Sequence, residues 1–355
     1  MVPWVLYERT GDRRVLEEND DALVRWIQYQ RTTAAAGIGA SVAGRELSAE
    51  RRAAQALLYN TGEHFGDWLT PSTMERGPPH EAIRIAPALT SEYLAPMFQA
   101  QTLSIAAQIA EALDKTTDAA EYRARADDVR AAFAAEYVDP SGDLPVRLQG
   151  ISVLALAFDM VPVHLRARTA ARLVELIRAR GDRLDTGFLS TPHLLDVLCD
   201  AGYPDVARTI LWQTEMPSWL YEVDRGATTV WEAWDDISPT GEIREMSLNH
   251  YAPGAVDDFL YRRVAGIRAT SPGYRTAVIE PGFDLGVTDV RASVTTPYGT
   301  LGIEWARDAH RDTVAVEVPA GIRARLRWHG REVELAPGVS SHAADRHRPA
   351  SGQPV

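Results

Sequence analysis

Cysteine is almost missing from this 355-residue chain: Cys199 stands alone, so no disulfide framework holds the fold together. Lysine is as scarce, Lys115 being the only one among 37 basic residues. We read that bias as genomic base composition and draw no function from it. Positive charge is in deficit, 37 basic against 49 acidic residues for a formal charge of -12. Such a surface repels phosphate backbones and excludes nucleic acid as an expected partner. Long apolar runs are missing too. The most apolar stretch, 151–158, includes Ser152 and stops at Asp159, far short of the roughly 20 residues a bilayer demands. No membrane association is expected. The opening Met1-Val2-Pro3-Trp4 has no basic region ahead of a long apolar core, so no secretory leader is visible and the expected location is cytoplasmic. What is present is a sizeable core: 45% hydrophobic residues with nine Trp and twelve Tyr, enough for two or three domains and too much for a disordered chain.

Residues 1–265 read as helices joined by short turns. Tyr122, Ala126, Val129, Phe133 and Tyr137 recur every three or four positions with Arg and Asp between them, one buried stripe on a solvated helix. Leu173, Val174, Leu176 and Ile177 do the same, and Gly181 follows where a left-handed cap belongs. Leu103, Ile105, Ala106, Ile109 and Leu113 mark another helix. Three turns end in an acid just ahead of a helix: Thr10-Gly11-Asp12, Thr116-Thr117-Asp118 and Gly202-Tyr203-Pro204-Asp205. An acid there meets the free N–H groups and opposes the helix dipole. The pattern predicts stacked helical hairpins. In the helical stretch Leu194-Leu195-Asp196-Val197-Leu198-Cys199, the thiol is expected to be buried and inert.

After residue 266 the period becomes two. Val290, Ala292, Val294 and Thr296 alternate with polar residues, Pro297-Tyr298-Gly299 turns the chain, and Leu301, Ile303 and Trp305 alternate again. Val314, Val316 and Val318, then Ile322, Ala324, Leu326 and Trp328, continue the pattern. Alternation with Gly and Pro punctuation predicts a small antiparallel β-sandwich over 266–338. Residues 339–355 are rich in Ser, His, Arg and Pro and are expected to be a disordered tail, with His342 and His347 solvated rather than metal-bound.

Two regions concentrate aromatic and acidic residues outside any amphipathic pattern. One is Gly62-Glu63-His64-Phe65-Gly66-Asp67-Trp68-Leu69; the other runs from Pro217-Ser218-Trp219 through Trp231-Glu232-Ala233-Trp234-Asp235-Asp236 to Asn249-His250-Tyr251. A sugar presents apolar C–H faces and a rim of hydroxyls, so its pocket wants Trp to stack on and carboxylates and His for the rim. Glu232, between two tryptophans in sequence, is a candidate catalytic carboxylate, because desolvation would raise its pKa towards that of a working general base. The competing reading makes Trp231 and Trp234 core residues, Glu232 a structural carboxylate, Asp67 an Asx-turn and His250 a satisfied buried histidine. The pairs Asp235-Asp236 and Asp257-Asp258 lack the third acid that metal-dependent diphosphate chemistry would use, and no metal or cofactor is expected.

These segments, together with Phe188-Leu189-Ser190-Thr191-Pro192 and with Gly226-Ala227-Thr228-Thr229-Val230-Trp231-Glu232 as the most specific, closely resemble bacterial α-L-rhamnosidases. The opening Pro3-Trp4-Val5-Leu6-Tyr7 and Ser247-Leu248-Asn249-His250-Tyr251-Ala252 extend the resemblance, which runs in order to about residue 338. It implies an (α/α)6 toroid followed by a carboxy-terminal β domain, and inverting hydrolysis of terminal α-L-rhamnosides. Glu232 then matches the general base, while Asp67, Trp68, Trp231 and His250 match or adjoin positions lining the rhamnose pocket. The expected partner is a small-molecule or oligosaccharide substrate.

One departure stands out. The family's acid-bearing segment, Asp-Glu-Arg followed by Gly-Trp and Gly-Asp, has no counterpart here, and about eight to ten helices are expected instead of twelve. The toroid is therefore expected to be incomplete at its amino-terminal side, with the general acid missing from this chain. Two alternatives follow: a non-catalytic rhamnoside-binding or structural remnant, and a six-hairpin glycosidase for another sugar.

Overall fold

The computed structural model describes residues 1–244 and 246–346. The chain divides into two compact units, one of Met1 with residues 16–256 and one of residues 2–15 with 257 onward.

The first unit is built on three helical hairpins in sequence. Helix Ile85–Ala112 pairs with Thr116–Tyr137, Gln149–Ala157 with Val163–Ala179, and Thr191–Asp200 with Pro204–Leu211. The first helices of the hairpins also pack on one another, Ile85–Ala112 on Gln149–Ala157 and that helix on Thr191–Asp200. Composition explains this placement. Gln149–Ala157 (QGISVLALA) is buried from Gln149 to Leu156, so it must be covered on all sides. Val163–Ala179 carries a single stripe of Leu165, Leu173, Val174 and Ile177 and leaves its arginines outside. The shared core collects Met97, Leu103, Phe133, Ile151, Leu154 and Phe158, all essentially inaccessible. Each such side chain contributes about 1.5–3 kcal/mol on transfer from water. The turn chemistry read from sequence is in place: Gly181 has φ +72° after its helix, and Asp12 Oδ1 accepts from Arg14 N at 3.0 Å. The helix expected from Leu103 begins earlier, at Ile85, and runs 28 residues through Pro96. Cys199 is half-buried rather than enclosed; its helix turns Leu194, Leu195 and Leu198 inward instead.

The second unit contains two four-stranded sheets. Strands β1 (Ile267–Ala269), β2 (Thr276–Ile279), β3 (Asp289–Thr296), β4 (Gly299–Arg307), β5 (Arg311–Val318), β6 (Arg323–Trp328), β7 (Arg331–Leu335) and β8 (Gly338–Asp345) form the orders β1-β2-β6-β7 and β3-β4-β5-β8. Leu301, Ile303, Trp305, Val314, Val316 and Val318 face inward as their alternation required. Val290, Ala292 and Val294 are only half-buried because β3 is an edge strand. The sandwich is not wholly antiparallel: β2 and β6 pair in parallel, with Thr276 opposite Arg323 and Ile279 opposite Leu326. A parallel pair needs a long crossover, and here the β3–β5 meander of the other sheet supplies it.

The tail expected from residue 339 is corrected over its first part. Gly338–Asp345 is β8, paired along β5 from Val318↔Gly338 to Arg311↔Asp345. Its Ser, His and Ala side chains carry little apolar signal, but the open edge of β5 supplies backbone partners that need none. His342 thus lies opposite Val314 in a strand, while His347 falls outside the described residues. Helix Val2–Thr10 belongs to the second unit, not the helical one, and packs on the turn at Pro272–Tyr274. Among the described residues no helix is long and apolar enough to cross a membrane.

Candidate active site

All five residues singled out in the sequence lie in the helical unit. Asp67 is 1% exposed, and its carboxylate is fully committed. Oδ1 accepts from Leu189 N (3.2 Å) and Ser190 N (3.1 Å); Oδ2 accepts from Gly187 N (2.9 Å) and Ser190 Oγ (2.6 Å). Glycines make room for it: a Cβ on Gly150 would stand 2.0 Å from Asp67 Oδ2, and one on Gly187 would stand 2.4 Å from the Asp67 and Trp68 carbonyls. Burial pushes the Asp67 carboxyl above its usual range, against the lowering effect of the hydrogen bonds from Ser190, Gly187 and Leu189. Asp67 therefore stands behind the surface, beside the Trp68 and Phe188 positions. With four donors converging on it, the side chain ties the turn at 187–190 to the Gly66-Asp67-Trp68 turn and has no free face for ligand.

That tie shapes a cleft. Phe188 N donates to the Trp68 carbonyl at 2.9 Å, so the two rings reach the surface on neighbouring turns. Trp68 and Phe188, with Trp26, Tyr59, Phe65 and Phe98, line a cavity of about 570 Å³ that also carries Glu63 and His64. A second cavity of about 930 Å³ shares Glu63, His64, Phe65 and Trp68 and adds Asn60, Arg84 and Glu92. The first lobe is mainly aromatic, and the second adds charged and polar side chains to a partly apolar wall, a pairing suited to a molecule with apolar faces and hydroxyl edges.

Glu232 and His250 sit on paired loops. Glu232 N donates to Ser247 O (2.9 Å), His250 N to Val230 O (2.8 Å), and Ser247 N returns a bond to Glu232 Oε2 (3.1 Å). The His250 ring lies 4.8 Å from that of Phe188, which joins these loops to the wall of the cleft. His250 Nδ1 accepts from Ala252 N at 3.2 Å, which fixes the ring at the start of the following helical turn. Both Glu232 and His250 are half-buried and able to meet a ligand. The tryptophans beside Glu232 are not. Trp231 and Trp234 are 2% and 6% exposed, and Trp234 packs edge-on against Trp219 with centroids 5.4 Å apart. Trp231 thus lies in the core next to Glu232, because the loop turns both large indoles inward and leaves the carboxylate half-buried.

Sequence reasoning missed Glu222 and weighed Asp236 only as a metal ligand. Glu222, on helix Trp219–Asp224, is 3% exposed, and its Oε2 accepts from Trp231 N at 3.1 Å. Asp236 is fully enclosed, and its Oδ2 accepts from Ala233 N at 3.0 Å. Burial, with the charge of Asp236 nearby, pushes Glu222 up to about 7. Burial, with the charges of Asp235 and Glu232, pushes Asp236 up to about 6. The signal available was a lone acid inside the aromatic run Trp219-Leu220-Tyr221-Glu222-Val223. Among the described residues no group of three or more His, Cys, Asp or Glu side chains is arranged to hold a metal ion.

Helical hairpins in sequence, followed by a β unit, match the fold class of six-hairpin glycosidase domains. The chain belongs to the bacterial α-L-rhamnosidase family: its residues 1–264 match the bacterial alpha-L-rhamnosidase 6 hairpin glycosidase domain and residues 266–342 the bacterial alpha-L-rhamnosidase C-terminal domain. It is 34% identical over 351 residues to an α-L-rhamnosidase of Streptomyces avermitilis, covering 97% of this chain and 30% of that protein. An Alteromonas sp. α-L-rhamnosidase is 30% identical over 333 residues, 92% of this chain and 33% of its own length. Among solved structures, the Streptomyces avermitilis enzyme complexed with L-rhamnose matches at a TM-score of 0.81, 31% identity, 97% of this chain and 32% of that one. The Aspergillus terreus α-L-rhamnosidase matches at 0.78 and 28% identity, over 96% of this chain and 38% of that one. The chain spans about a third of the length of these relatives.

Proposed function

We propose that this chain carries the base side of an α-L-rhamnosidase site, hydrolysing terminal α-L-rhamnosides with inversion and using Glu232 as general base. One observation carries the reading above the rest: Phe188 lines the aromatic cleft and meets His250, on the loop paired with that of Glu232. A sugar against Trp68 and Phe188 therefore has an accessible histidine and carboxylate on the adjoining loops. The methyl group on rhamnose C5 cannot hydrogen-bond, which suits an aromatic wall. L-Rhamnose is the sugar in the complex of the Streptomyces relative, and the likeness carries it to this chain.

In an inverting hydrolysis the base removes a proton from water as its oxygen attacks the anomeric carbon, while an acid on the opposite face protonates the departing oxygen. Glu232, held by Ser247 N through Oε2, keeps Oε1 for that water. We assign the acid to a segment outside these 355 residues, since no carboxyl here matches the acid-bearing segment of the family.

The test uses leaving-group dependence. A dinitrophenyl α-L-rhamnoside leaves as a stable anion and needs no proton donor, so this chain should turn it over while a simple alkyl rhamnoside stays nearly inert. Glu232→Gln should lower kcat on the order of 10²–10⁴-fold. Proton NMR should show β-L-rhamnose as the first product. Equal turnover by Glu232→Gln, or retention at the anomeric centre, ends the assignment.

A further inference from the structure

The Glu232 loop is gripped from inside on both sides, by carboxyls that never reach the surface. Glu222 Oε2 takes Trp231 N, the residue before the base, and Asp236 Oδ2 takes Ala233 N, the residue after it. The other oxygens, Glu222 Oε1 and Asp236 Oδ1, are buried with no hydrogen-bond partner among the described residues. Leaving such an oxygen unpaired in the interior is costly, so stability by itself does not account for the two acids. We infer that Glu222 and Asp236 are positioning residues, a pair of enclosed acids that set the backbone on either side of Glu232 and so aim its carboxylate at the attacking water. This rests on the base assignment above.

The surroundings support a positioning role. Asp236 N donates to Ala233 O (3.2 Å) and Arg244 N to Asp236 O (2.8 Å), so Asp236 closes a tight turn immediately after the base. Tyr221 OH donates to Ile237 O (2.7 Å) and Ser218 Oγ caps Tyr221 N (3.1 Å), holding the helix that bears Glu222 against the same loop. The raised values of both acids agree with burial near one another and near Glu232. What the loop takes from each acid is one acceptor oxygen at a fixed place. An amide can supply that oxygen, whereas a carboxylate one methylene off cannot.

The experiment compares Glu222→Gln and Asp236→Asn with Glu222→Asp, Asp236→Glu and the two alanine variants. Two readouts are used: kcat and KM on a dinitrophenyl α-L-rhamnoside, and hydrogen exchange of the Trp231 and Ala233 amides. The amide variants should keep kcat within about threefold and the slow exchange of both amides. The length-shifted variants should lose kcat on the order of 10–10²-fold with little change in KM, as misplacement of a reacting group by about an ångström does. Their Trp231 or Ala233 amide should exchange faster. Alanine variants that fold should behave like the length-shifted ones; where they do not fold, the length-shifted variants decide. Amide variants as impaired as alanine, or length-shifted variants with unchanged kcat and exchange, overturn the inference. Loss of turnover in Glu232→Gln alongside neutral Glu222 and Asp236 variants would sink this idea and leave the base assignment standing.

Discussion

Replacing Asp67 separates a carboxylate that holds the fold from one that holds a sugar. Its two oxygens accept from three backbone N–H groups, those of Gly187, Leu189 and Ser190, and from Ser190 Oγ. Asp67→Ala orphans all three buried N–H groups at about 1–3 kcal/mol each, roughly 3–9 kcal/mol altogether. Against a total stability of about 5–15 kcal/mol, that variant sits at the edge of folding. Asp67→Asn is the informative change. Its amide oxygen can serve Leu189 N and Ser190 N, and Ser190 Oγ can rotate to accept from the new NH₂. Only Gly187 N is then left without an acceptor, at about 1–3 kcal/mol. Equilibrium urea unfolding should report that loss, while calorimetry on the folded variant should find L-rhamnose affinity within about threefold of the parent. A variant of unchanged stability that no longer binds the sugar would refute the reasoning, because it would place the carboxylate on the ligand.

Trp68→Ala opens the wall shared by both lobes of the cleft and should weaken L-rhamnose binding roughly 10–100-fold, the equivalent of one large apolar contact, measured by calorimetry. Stability should fall as pH rises from about 4 to about 7. Glu222 goes from an ordinary 4.5 to about 7 and Asp236 from 3.8 to about 6, so the folded state holds protons that the unfolded chain has released. That contribution is full below about pH 4 and lost as pH passes about 6 to 7, on the order of 3 kcal/mol for Glu222. Glu222→Gln should flatten the difference between urea midpoints at about pH 5 and about pH 8. In the β unit, fully buried Asp312 is gripped by Arg307 Nε and Nη2 at 2.8 and 2.9 Å and by His329 Nε2 at 3.0 Å. Asp312→Ala leaves Arg307 Nε and Nη2 without their acceptor, while Nη1 keeps Asp284 Oδ1 and the Phe283 carbonyl, and should cost about 3–5 kcal/mol in thermal or urea unfolding, with an unchanged melting transition counting against the ion pair.

Much of the architecture is a local property and was readable from the chain alone. The change from helical period to alternation near residue 266, the left-handed Gly181 and the acids ahead of helices each act within a few residues of themselves. The segments that meet at the cleft, around Trp68, Phe188, Glu232 and His250, stood out because aromatic and acidic residues crowd there without amphipathic order. Which way their side chains point was decided elsewhere. Asp67 is enclosed because the turn at 187–190, some 120 residues away, brings its donors to it, and because Gly150 leaves the space. Trp231 turns inward while its neighbour Glu232 stays accessible, through a loop gripped by Glu222 and Asp236. Strand β8 forms because β5 offers a free edge, whatever its own composition. Pattern in sequence reports what a residue prefers; its exposure and partners depend on groups brought close only when the chain has packed.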